Sequence, residues 1–405
     1  MKPRVLFVCY GGGHVRMVLA LVRELERRQA IEPVILGLTS ARADVEAAGW
    51  RCLGFADFVR PQDAAAVAQG ERLARALPAM ATDLRESAAY LGLCHADLVE
   101  AHGAEEAARL YAAHGRQIFL PVPTLTRIVR AVGAQAVVAT SAPRAERAAL
   151  LAARAVGLPS LCMVDLFAAY EIAWLRAPDF ADRVCVLNEG VRQRLVDAGR
   201  PPGHIAVTGN PAFDRLGDPQ LRQRGRQLRT ERGWDGRHAV LWASQVEPER
   251  HPARTERGNV ELPARIAHSL RATLASQPAM DLVVRPHPSE ASVPPPAQDR
   301  EWLSPRDEDL HVLLHAVDTV VVMTSTVGIE ARLAGKYVIQ VLGSLYSDDA
   351  PYVAYGIADE AVALPDLPHA VARSVGRRLA LPGGPGLRGL AAARVADVLL
   401  SLLRP

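Results

Sequence analysis

Two short motifs in the C-terminal half combine side chains and backbone groups that bind phosphate. The stretch RPHP (285–288) follows an apolar run at 282–284, and the stretch TST (324–326) follows another at 319–323. Both runs are typical of buried parallel strands, and ligands bind beyond the carboxyl ends of such strands. An imidazole, hydroxyls and backbone donors at a helix start can hold a phosphate or diphosphate through directed hydrogen bonds. The residues predicted to do so are Arg285, His287, Pro288, Thr324, Ser325 and Thr326.

Each motif also has a purely structural interpretation. Ser325 or Thr326 would then only cap the helix that follows, and His287 would only be held in a turn by its two prolines. Because both motifs lie at strand ends in the same half of the chain, a shared binding function is favoured.

Two further residues are assigned to the nucleotide-binding end of the site. The apolar run 239–243 ends at Ser244, and Glu330 lies in the helix after Thr326. If Thr326 is the N-cap, Glu330 is one residue too late for a capping box, so its carboxylate can accept both hydroxyls of a ribose. Gly328 is expected to leave room for that ligand, whereas a favourable interaction of Glu330 with the helix dipole is the alternative.

The N-terminus predicts a strand, turn and helix unit of the Rossmann kind. The apolar run 4–9 leads into a glycine turn, after which apolar residues recur at helical spacing. Arg16 stands where the dinucleotide fingerprint needs its third glycine, which excludes a nicotinamide cofactor. Gly12 and Gly13 let the backbone approach a ligand closely. His14, at a helix N-terminus, is expected to be neutral and to act as a general base, or else to cap the helix or bind the sheet edge.

A second catalytic candidate and a hinge follow in the first half. Asp165 ends the apolar run 161–164 and lies on the same side as His14 if the sheet is parallel. Its carboxylate would orient His14 or activate an acceptor, or it would only cap a helix. The turn that contains Gly209 and Asn210 closes the first half, is typical of a hinge, and is assigned to nucleotide binding.

The elements that must position these residues alternate between strand and helix patterns. The 405 residues, of which 49% are hydrophobic, can bury two cores. The alternation predicts an α/β fold with two Rossmann-like parallel-sheet domains facing a central cleft. The predicted domains are residues 1–215 and 216–386, with a last helix at 387–405 that crosses back to the first domain.

One stretch of the first half departs from this alternation. Residues 51–55 predict a third strand, whereas 61–117 lack strand signals and predict three or four inserted helices. The histidines and acids between 95 and 106 match no metal-ligand spacing, so a charged helical face and no metal site are predicted there. The expected breaks between the helices are Gly70, Pro78, Gly92, Gly103 and Gly115.

Composition narrows the class of protein. The net charge of +3 is small and the basic residues are scattered, which argues against a nucleic-acid partner and leaves peripheral contact with an anionic membrane face open. Five widely spaced cysteines without a CxxC pair predict buried thiols in a reducing compartment. No apolar run reaches about 18 residues and a strand begins by residue 4, so a cytoplasmic protein is expected.

The motifs together resemble the two-lobed GT-B nucleotide-sugar glycosyltransferases, with closest similarity to bacterial capsule, surface-polysaccharide and CDP-glycerol transferases. The resemblance rests on GGGH (11–14), VTGNPAFD (207–214), RPHP (285–288) and TSTVGIEARLAGKYVI (324–339), and covers most of the chain except 61–117. It implies sugar transfer from a nucleotide-sugar to a saccharide, lipid-linked or other hydroxyl acceptor, without metal or cofactor. It also implies that His287, Pro288, Ser325 and Thr326 hold the phosphates and that Glu330 binds ribose.

Three alternatives accompany this resemblance. The non-hydrolysing UDP-N-acetylglucosamine 2-epimerases share the fold, but their HRxEN-like segment and DSGG turn are replaced by SQVE (244–247) and TSTV (324–327). The UDP-sugar hydrolase of pseudaminic acid synthesis has a loop similar to GGGHVRM (11–17), but that enzyme type is shorter and lacks the HP motif. A sugar-nucleotide-binding protein without turnover is the alternative of another class.

Overall fold

The computed structural model describes residues 2–76, 83–251, 255–290, 295–296, 298–377 and 389–404. They form two compact units, Met1–Ala212 with Leu390–Pro405, and Phe213–Gly389. Each unit is built on one sheet whose paired strands all run parallel. The predicted α/β fold with two parallel-sheet domains is confirmed.

The first unit alternates strands with helices. Within the described residues its sheet has seven strands, β1 (Arg4–Cys9), β2 (Glu32–Gly37), β3 (Cys52–Leu53), β4 (Ala136–Thr140), β5 (Ser160–Met163), β6 (Arg183–Val186) and β7 (Ile205–Val207). The helices are α1 (Gly13–Arg27), α2 (Ala41–Ala47), α3 (Ala64–Arg75), α4 (Leu84–His102), α5 (Ala104–His114), α6 (Val122–Ala131), α7 (Ala145–Ala155), α8 (Ile172–Leu175) and α9 (Glu189–Asp197).

The strand order of this sheet determines which loops meet. The order is β3-β2-β1-β4-β5-β6-β7, so the direction of winding reverses between β1 and β4. The central strands β1 and β4 are buried along nearly their whole length because helices cover both faces. The loops after β1, β4 and β5 therefore meet at the carboxyl edge, beside the position where such sheets bind ligands.

The third strand is shorter than expected. Only Cys52–Leu53 pairs with β2, and a 3₁₀ turn, Phe55–Phe58, follows. The Glu86 carboxylate accepts the backbone N–H groups of Phe55 and Ala56 at 2.7 and 3.0 Å, and these bonds hold the chain in the turn. The predicted strand at 51–55 is wrong beyond Leu53 for this reason.

The described residues between 61 and 117 form helices and 3₁₀ turns, but two of the breaks expected there are not breaks. Gly103 and Gly115 separate helices with φ values of +79° and +55°, as predicted. Gly70 and Gly92 instead lie inside α3 and α4, at the point where the two helices cross. Pro78 lies outside the described residues.

The histidines and acids of this insertion have structural partners. His95 packs edge-on against Tyr111 with ring centroids 5.9 Å apart. Asp97 accepts hydrogen bonds from the backbone N–H and the hydroxyl of Thr124, each at 3.0 Å, and so joins α4 to α6. Burial raises the pKa of Asp97 to about 6. These contacts give His95 and Asp97 a role in packing the insertion.

The second unit repeats the pattern with a smaller sheet. Its strands are β8 (His238–Ala243), β9 (Met280–Arg285), β10 (Glu301–Leu303), β11 (Thr319–Val322), β12 (Tyr337–Val341) and β13 (Glu360–Val362), in the order β10-β9-β8-β11-β12-β13. The helices are α10 (Pro219–Glu231), α11 (Leu262–Ser276), α12 (Leu310–Ala316), α13 (Val327–Leu333) and α14 (Leu367–Ser374). The loops after β8, β9 and β11 meet at one carboxyl edge.

The last helix, α15 (Ala391–Leu402), belongs to the first unit. Val395, Ala396 and Leu399 are part of the same hydrophobic core as β1 and α1. Arg28 of α1 donates hydrogen bonds to the Asp397 carboxylate at 2.5 Å and to the Ala393 carbonyl at 3.2 Å. The unit is thus assembled from both ends of the chain.

Two general predictions can be compared with this fold. All five cysteines lie in the described part of the chain, where they are buried and form no disulfide, which confirms the predicted buried thiols. Across the described residues, no helix combines the length and the apolar composition that a membrane span needs.

The second unit is expected to lose stability in acid because of His315. The Nε2–H of His315 donates to the Leu216 carbonyl at 3.1 Å, and burial beside Lys336 lowers the pKa of His315 from 6.5 to about 4. Between about pH 6.5 and 4, His315 therefore binds a proton in the unfolded chain but not in the folded unit. The free energy of unfolding is highest above about pH 6.5 and falls as the pH is lowered to about 4. We expect a loss on the order of 2 kcal/mol from this residue.

Thermal unfolding at neutral and acidic pH checks this expectation. In His315→Gln the amide can still donate to Leu216 but takes up no proton, so the acid-induced fall in melting temperature should shrink. The half-buried His204 of the first unit provides the control, since the melting temperature of His204→Gln should fall with pH as that of the unchanged chain does. Equal acid sensitivity of the His315 variant and the unchanged chain would contradict the assignment.

Candidate functional site

The glycine loop after β1 places His14 at the carboxyl edge of the first sheet. Gly12 is the N-cap of α1 with φ +69°, a backbone conformation that favours glycine, and Gly13 is the first helical residue. A Cβ at Gly13 would lie 3.4 Å from Oδ1 of Asp165, so the absence of a side chain there lets the carboxylate approach the loop. The two glycines position His14 and leave space beside it.

The structure brings the two predicted catalytic residues together. His14 Nε2 lies 3.8 Å from Asp165 Oδ2, which is ion-pair distance but too long for a hydrogen bond. Burial raises the pKa of Asp165, while His14 and Asn210 act in the opposite direction. Their proximity agrees with the geometric expectation for a parallel sheet, and their catalytic roles stay predictions.

Asn210 supports the loop that carries Asp165. Its side-chain amide donates to the Asp165 carbonyl oxygen at 2.8 Å, and its Oδ1 accepts from the Ala212 N–H at 2.9 Å. Gly209 has φ +83°, and the adjacent Thr208 carbonyl accepts from Arg394 of α15 at 2.8 Å. The turn is therefore tied into the first unit by its own side chain, and its assignment to the nucleotide stays a prediction.

A cavity of about 850 Å³ lies inside the first unit next to His14. The loops after β1, β2 and β4 form its base, and α4 of the insertion forms its opposite wall. Its walls combine aliphatic residues and two tyrosines with several charged side chains, and such a mixture can bind a small molecule. Lining residues include Tyr10, His14, Leu84, Tyr90, Arg144 and Glu146.

Sequence reasoning missed Glu146, a buried acid on this wall. It lies in the first turn of α7, and the residue is 1% exposed. Burial raises the pKa of Glu146, whereas the backbone N–H of Tyr10 and the charges of His14 and Arg144 act against that rise. The available signal was an acid on the face of α7 whose other members, at 149, 150 and 153, are alanine and leucine.

In the second unit, the loops after β8 and β9 are joined by a carboxylate. The Ser244 hydroxyl donates to Glu290 Oε1 at 2.8 Å, and the His287 backbone N–H donates to Glu290 Oε2 at 2.5 Å. The Ser289 N–H donates to His287 Nδ1 at 3.1 Å, which leaves the proton of a neutral ring on Nε2. His287 is thus a hydrogen-bond donor at its outer nitrogen, as phosphate binding requires.

The TST turn after β11 is fixed by neighbouring loops. The Gln245 side chain accepts from the Thr324 N–H at 3.1 Å and donates to the Thr324 hydroxyl at 2.9 Å. Ser325 Oγ accepts from the Val327 N–H at 3.3 Å, and the Ser325 carbonyl accepts from the Tyr352 hydroxyl at 2.7 Å. Thr326 is the N-cap of α13 and makes no side-chain capping bond. The Ser325 hydroxyl thus accepts one backbone donor at the start of α13, and the assignment of the TST turn to the phosphate stays a prediction.

The reason given for Glu330 as a ribose ligand is wrong in one respect. A Cβ at Gly328 would lie 2.7 Å from the Tyr352 ring and 3.0 Å from Val322, so the missing side chain makes room for Tyr352 and not for a ligand. The Glu330 carboxylate accepts from His311 Nε2 at 2.7 Å. Its ribose role stays a prediction.

Arg285 is oriented by its neighbours at the same edge. Its guanidinium donates to the Ser304 hydroxyl at 2.9 Å. Burial lowers the pKa of Arg285, and the nearby acids Glu308, Asp309 and Glu330 oppose that shift. A half-buried guanidinium held in this way can bind an anion with little loss of side-chain freedom.

Comparison with known proteins shows the fold. No family model matches the chain, and no curated protein sequence matches it significantly. Among solved structures, it is similar to UDP-GlcNAc 2-epimerase from Methanocaldococcus jannaschii, with 11% identity, 98% of this chain and 99% of that chain covered, and a TM-score of 0.59. The UDP-GlcNAc 2-epimerase from Neisseria meningitidis, bound to UDP-GlcNAc, gives 14% identity, 98% and 100% coverage, and a TM-score of 0.58.

A glycosyltransferase has the same architecture. The glycotransferase of kitacinnamycin shares 13% identity over 100% of both chains, with a TM-score of 0.55. At such identities the likeness concerns the fold alone. It supports the GT-B architecture and the relation to the epimerase fold that the motifs predict.

Proposed function

We propose that this protein is an enzyme that transfers a sugar from a nucleotide-sugar to a hydroxyl group of an acceptor. The proposal rests on the position of His14, which lies at a helix N-terminus, 3.8 Å from Asp165, on the wall of a cavity of about 850 Å³. A neutral imidazole can take the proton of a hydroxyl group, and the cavity offers an acceptor space beside that imidazole.

The second unit supplies the groups that would bind the donor. His287 presents Nε2–H, and Arg285 and the TST turn lie at the same carboxyl edge. As the bond to the leaving phosphate lengthens, positive charge develops on the sugar and negative charge on the phosphate. Donors in fixed positions stabilise that negative charge where it develops, with no metal in this scheme.

The finer assignment follows from the sequence motifs. The resemblance to capsule and surface-polysaccharide transferases favours a saccharide or lipid-linked acceptor, in bacterial surface polysaccharide or glycoconjugate synthesis. UDP is the first nucleotide to test because two proteins of the same fold act on UDP-GlcNAc according to their names.

Epimerisation of a nucleotide-sugar is the second candidate function. The structural similarity to two epimerases supports it, whereas the replacement of the HRxEN-like and DSGG segments argues against it. An epimerase acts on one substrate and does not need an acceptor space beside the base. Incubation with UDP-GlcNAc alone separates the two: an epimerase changes the sugar without an acceptor, and a transferase releases UDP only when a suitable acceptor is present.

Nucleotide binding by the second unit gives the first experimental test. We expect UDP, CDP, CMP or GDP to raise the melting temperature in proportion to occupancy. In the double variant Ser325→Ala, Thr326→Ala, the affinity should fall about tenfold or more, since hydrogen bonds to charged groups contribute about 1.5–3 kcal/mol.

The matched control is Ser276→Ala, at the end of α11, where the hydroxyl donates to the Thr273 carbonyl. Its nucleotide affinity should equal that of the unchanged chain. Full affinity in the double variant would show that the TST turn only caps α13, and stabilisation by none of the nucleotides or their sugars would overturn the proposed function.

A further inference from the structure

Glu146 is a buried acid that the proposed transfer step does not use. One oxygen of its carboxylate, Oε1, is buried and has no hydrogen-bond partner among the residues that the structure describes. Leaving a buried polar atom unpaired costs about 1–3 kcal/mol, so such an atom requires an explanation.

His14 also has a buried polar atom, Nδ1, without a hydrogen-bond partner within the described ranges. Its Nε2 faces Asp165 at 3.8 Å, beyond hydrogen-bond length. The imidazole interacts electrostatically with Glu146 and lines the same cavity. The His14 ring is thus hydrogen-bonded to neither Asp165 nor Glu146, and hydrogen bonds of catalytic sites often tighten when a ligand binds.

We propose that Glu146 is a positioning residue for His14: its Oε1 accepts a hydrogen bond from Nδ1–H, directly or through one water. The bond that one ring nitrogen makes determines which nitrogen carries the proton. With the proton on Nδ1, the lone pair of Nε2 faces the cavity and Asp165. Glu146, and not Asp165, then orients the ring, and Asp165 is left to hold the acceptor hydroxyl.

The role of His14 as a base rests on the proposed function. In the transfer step the acceptor O–H bond breaks and its proton moves to Nε2. The oxygen forms the new bond to the sugar carbon, and the phosphate leaves with the electron pair of the bond that breaks. The Glu146 carboxylate takes no proton and stabilises the imidazolium from the Nδ1 side, as the acid of a catalytic triad does.

Glu146 also lines the cavity together with the segment that carries His14. Tyr10 immediately precedes the glycine loop, and the Arg144 guanidinium lies 6.0 Å from the centre of the Tyr10 ring. Glu171 also interacts electrostatically with His14 and is a further acid near the ring. Of these acids, Glu146 has the unpaired buried oxygen.

The tautomer of His14 tests the proposal without any sugar substrate. In protein labelled with ¹⁵N-histidine, two-bond ¹H–¹⁵N couplings show which ring nitrogen bears the proton, and His14→Gln identifies the His14 signals. We expect the neutral ring of the unchanged chain to carry its proton on Nδ1. In Glu146→Leu, which removes the acceptor, the proton should move to Nε2, where Asp165 is the remaining neighbour.

The matched control is Glu86→Gln. Glu86 lines the same cavity, but both of its oxygens accept backbone N–H groups, so this variant should leave the tautomer unchanged. An Nε2–H tautomer in the unchanged chain would overturn the proposal even if Glu146→Leu does not fold. The proposal would also be overturned if a folded Glu146→Leu variant had the same His14 tautomer as the unchanged chain. Because no turnover is measured, a failure of the proposed function would leave this result standing.

Discussion

Replacing His14 with alanine is expected to lower the rate of sugar transfer by about a hundredfold or more, because a positioned general base contributes about 10²–10⁴-fold. Nucleotide affinity should stay the same, since the predicted nucleotide-binding groups of the second unit are untouched. The measurement is the release of nucleotide from a nucleotide-sugar in the presence of acceptor, together with nucleotide binding by calorimetry. A loss in kcat with little change in the donor KM would identify an interaction made in the transition state.

His204→Ala is the matched control for this experiment. His204 lies in the same unit but precedes β7, at the amino edge of the sheet, and its Nδ1 lies 3.2 Å from the Pro178 carbonyl. Its transfer rate should equal that of the unchanged chain. Unchanged transfer in His14→Ala would refute the assignment of the base and leave the cavity without its proposed catalytic group.

Substituting valine for Gly70 is expected to destabilise the first unit by at least about 3 kcal/mol, because the substitution inserts atoms into a close helix crossing. A Cβ at Gly70 would lie 1.9 Å from the Ala88 carbonyl oxygen, and one at Gly92 would lie 2.2 Å from the Ala66 carbonyl oxygen. Because these are backbone atoms, α3 and α4 would have to separate. A fall in melting temperature of about 6–12 °C corresponds to that loss for a unit of this size.

The same substitution should also impair ligand binding in the cavity, since α4 supplies Leu84 and Tyr90 to its wall. Gly203→Ala is the control, because a Cβ there meets no atom within 4 Å and the backbone is not in the left-handed region. That variant should have the same melting temperature as the unchanged chain. A Gly70→Val variant with an unchanged melting temperature would show that the helices cross less tightly than described.

The sequence predicted the central strands well because their apolar runs are continuous. β1 begins and ends at the residues of the predicted run 4–9, and buried parallel strands produce just this kind of run. The edge strands β10 and β13 were missed, since three residues that include a glutamate carry no periodic signal. Edge strands are buried on fewer sides, so their sequences are less constrained.

Glycine was the residue type that misled the interpretation most. In a sequence, a glycine that breaks a helix and one that allows two helices to touch are alike. Gly103 and Gly115 are of the first kind, whereas Gly70 and Gly92 are of the second. Gly328 was expected to leave room for a ligand, but the ring of Tyr352, 24 residues later in the chain, fills that room. Such long-range contacts are not visible in local patterns.

The sequence predicted those residues of the candidate site that directly follow a strand. His14 and Asp165 follow different strands, and the parallel sheet brings them to 3.8 Å from each other. Glu146 was missed because it lies in the first turn of a helix, where an acid is normally a favourable partner of the helix dipole. Only its burial and its unpaired oxygen distinguish it from such a residue.

The position of α15 has a consequence for how the protein is made. The ribosome releases β1 long before α15, yet Val5 and Val18 share one apolar cluster with Leu399. Part of the apolar surface of the N-terminal sheet therefore stays uncovered until α15 has been synthesised. During that interval a nascent chain of this kind is exposed to aggregation and depends on chaperones.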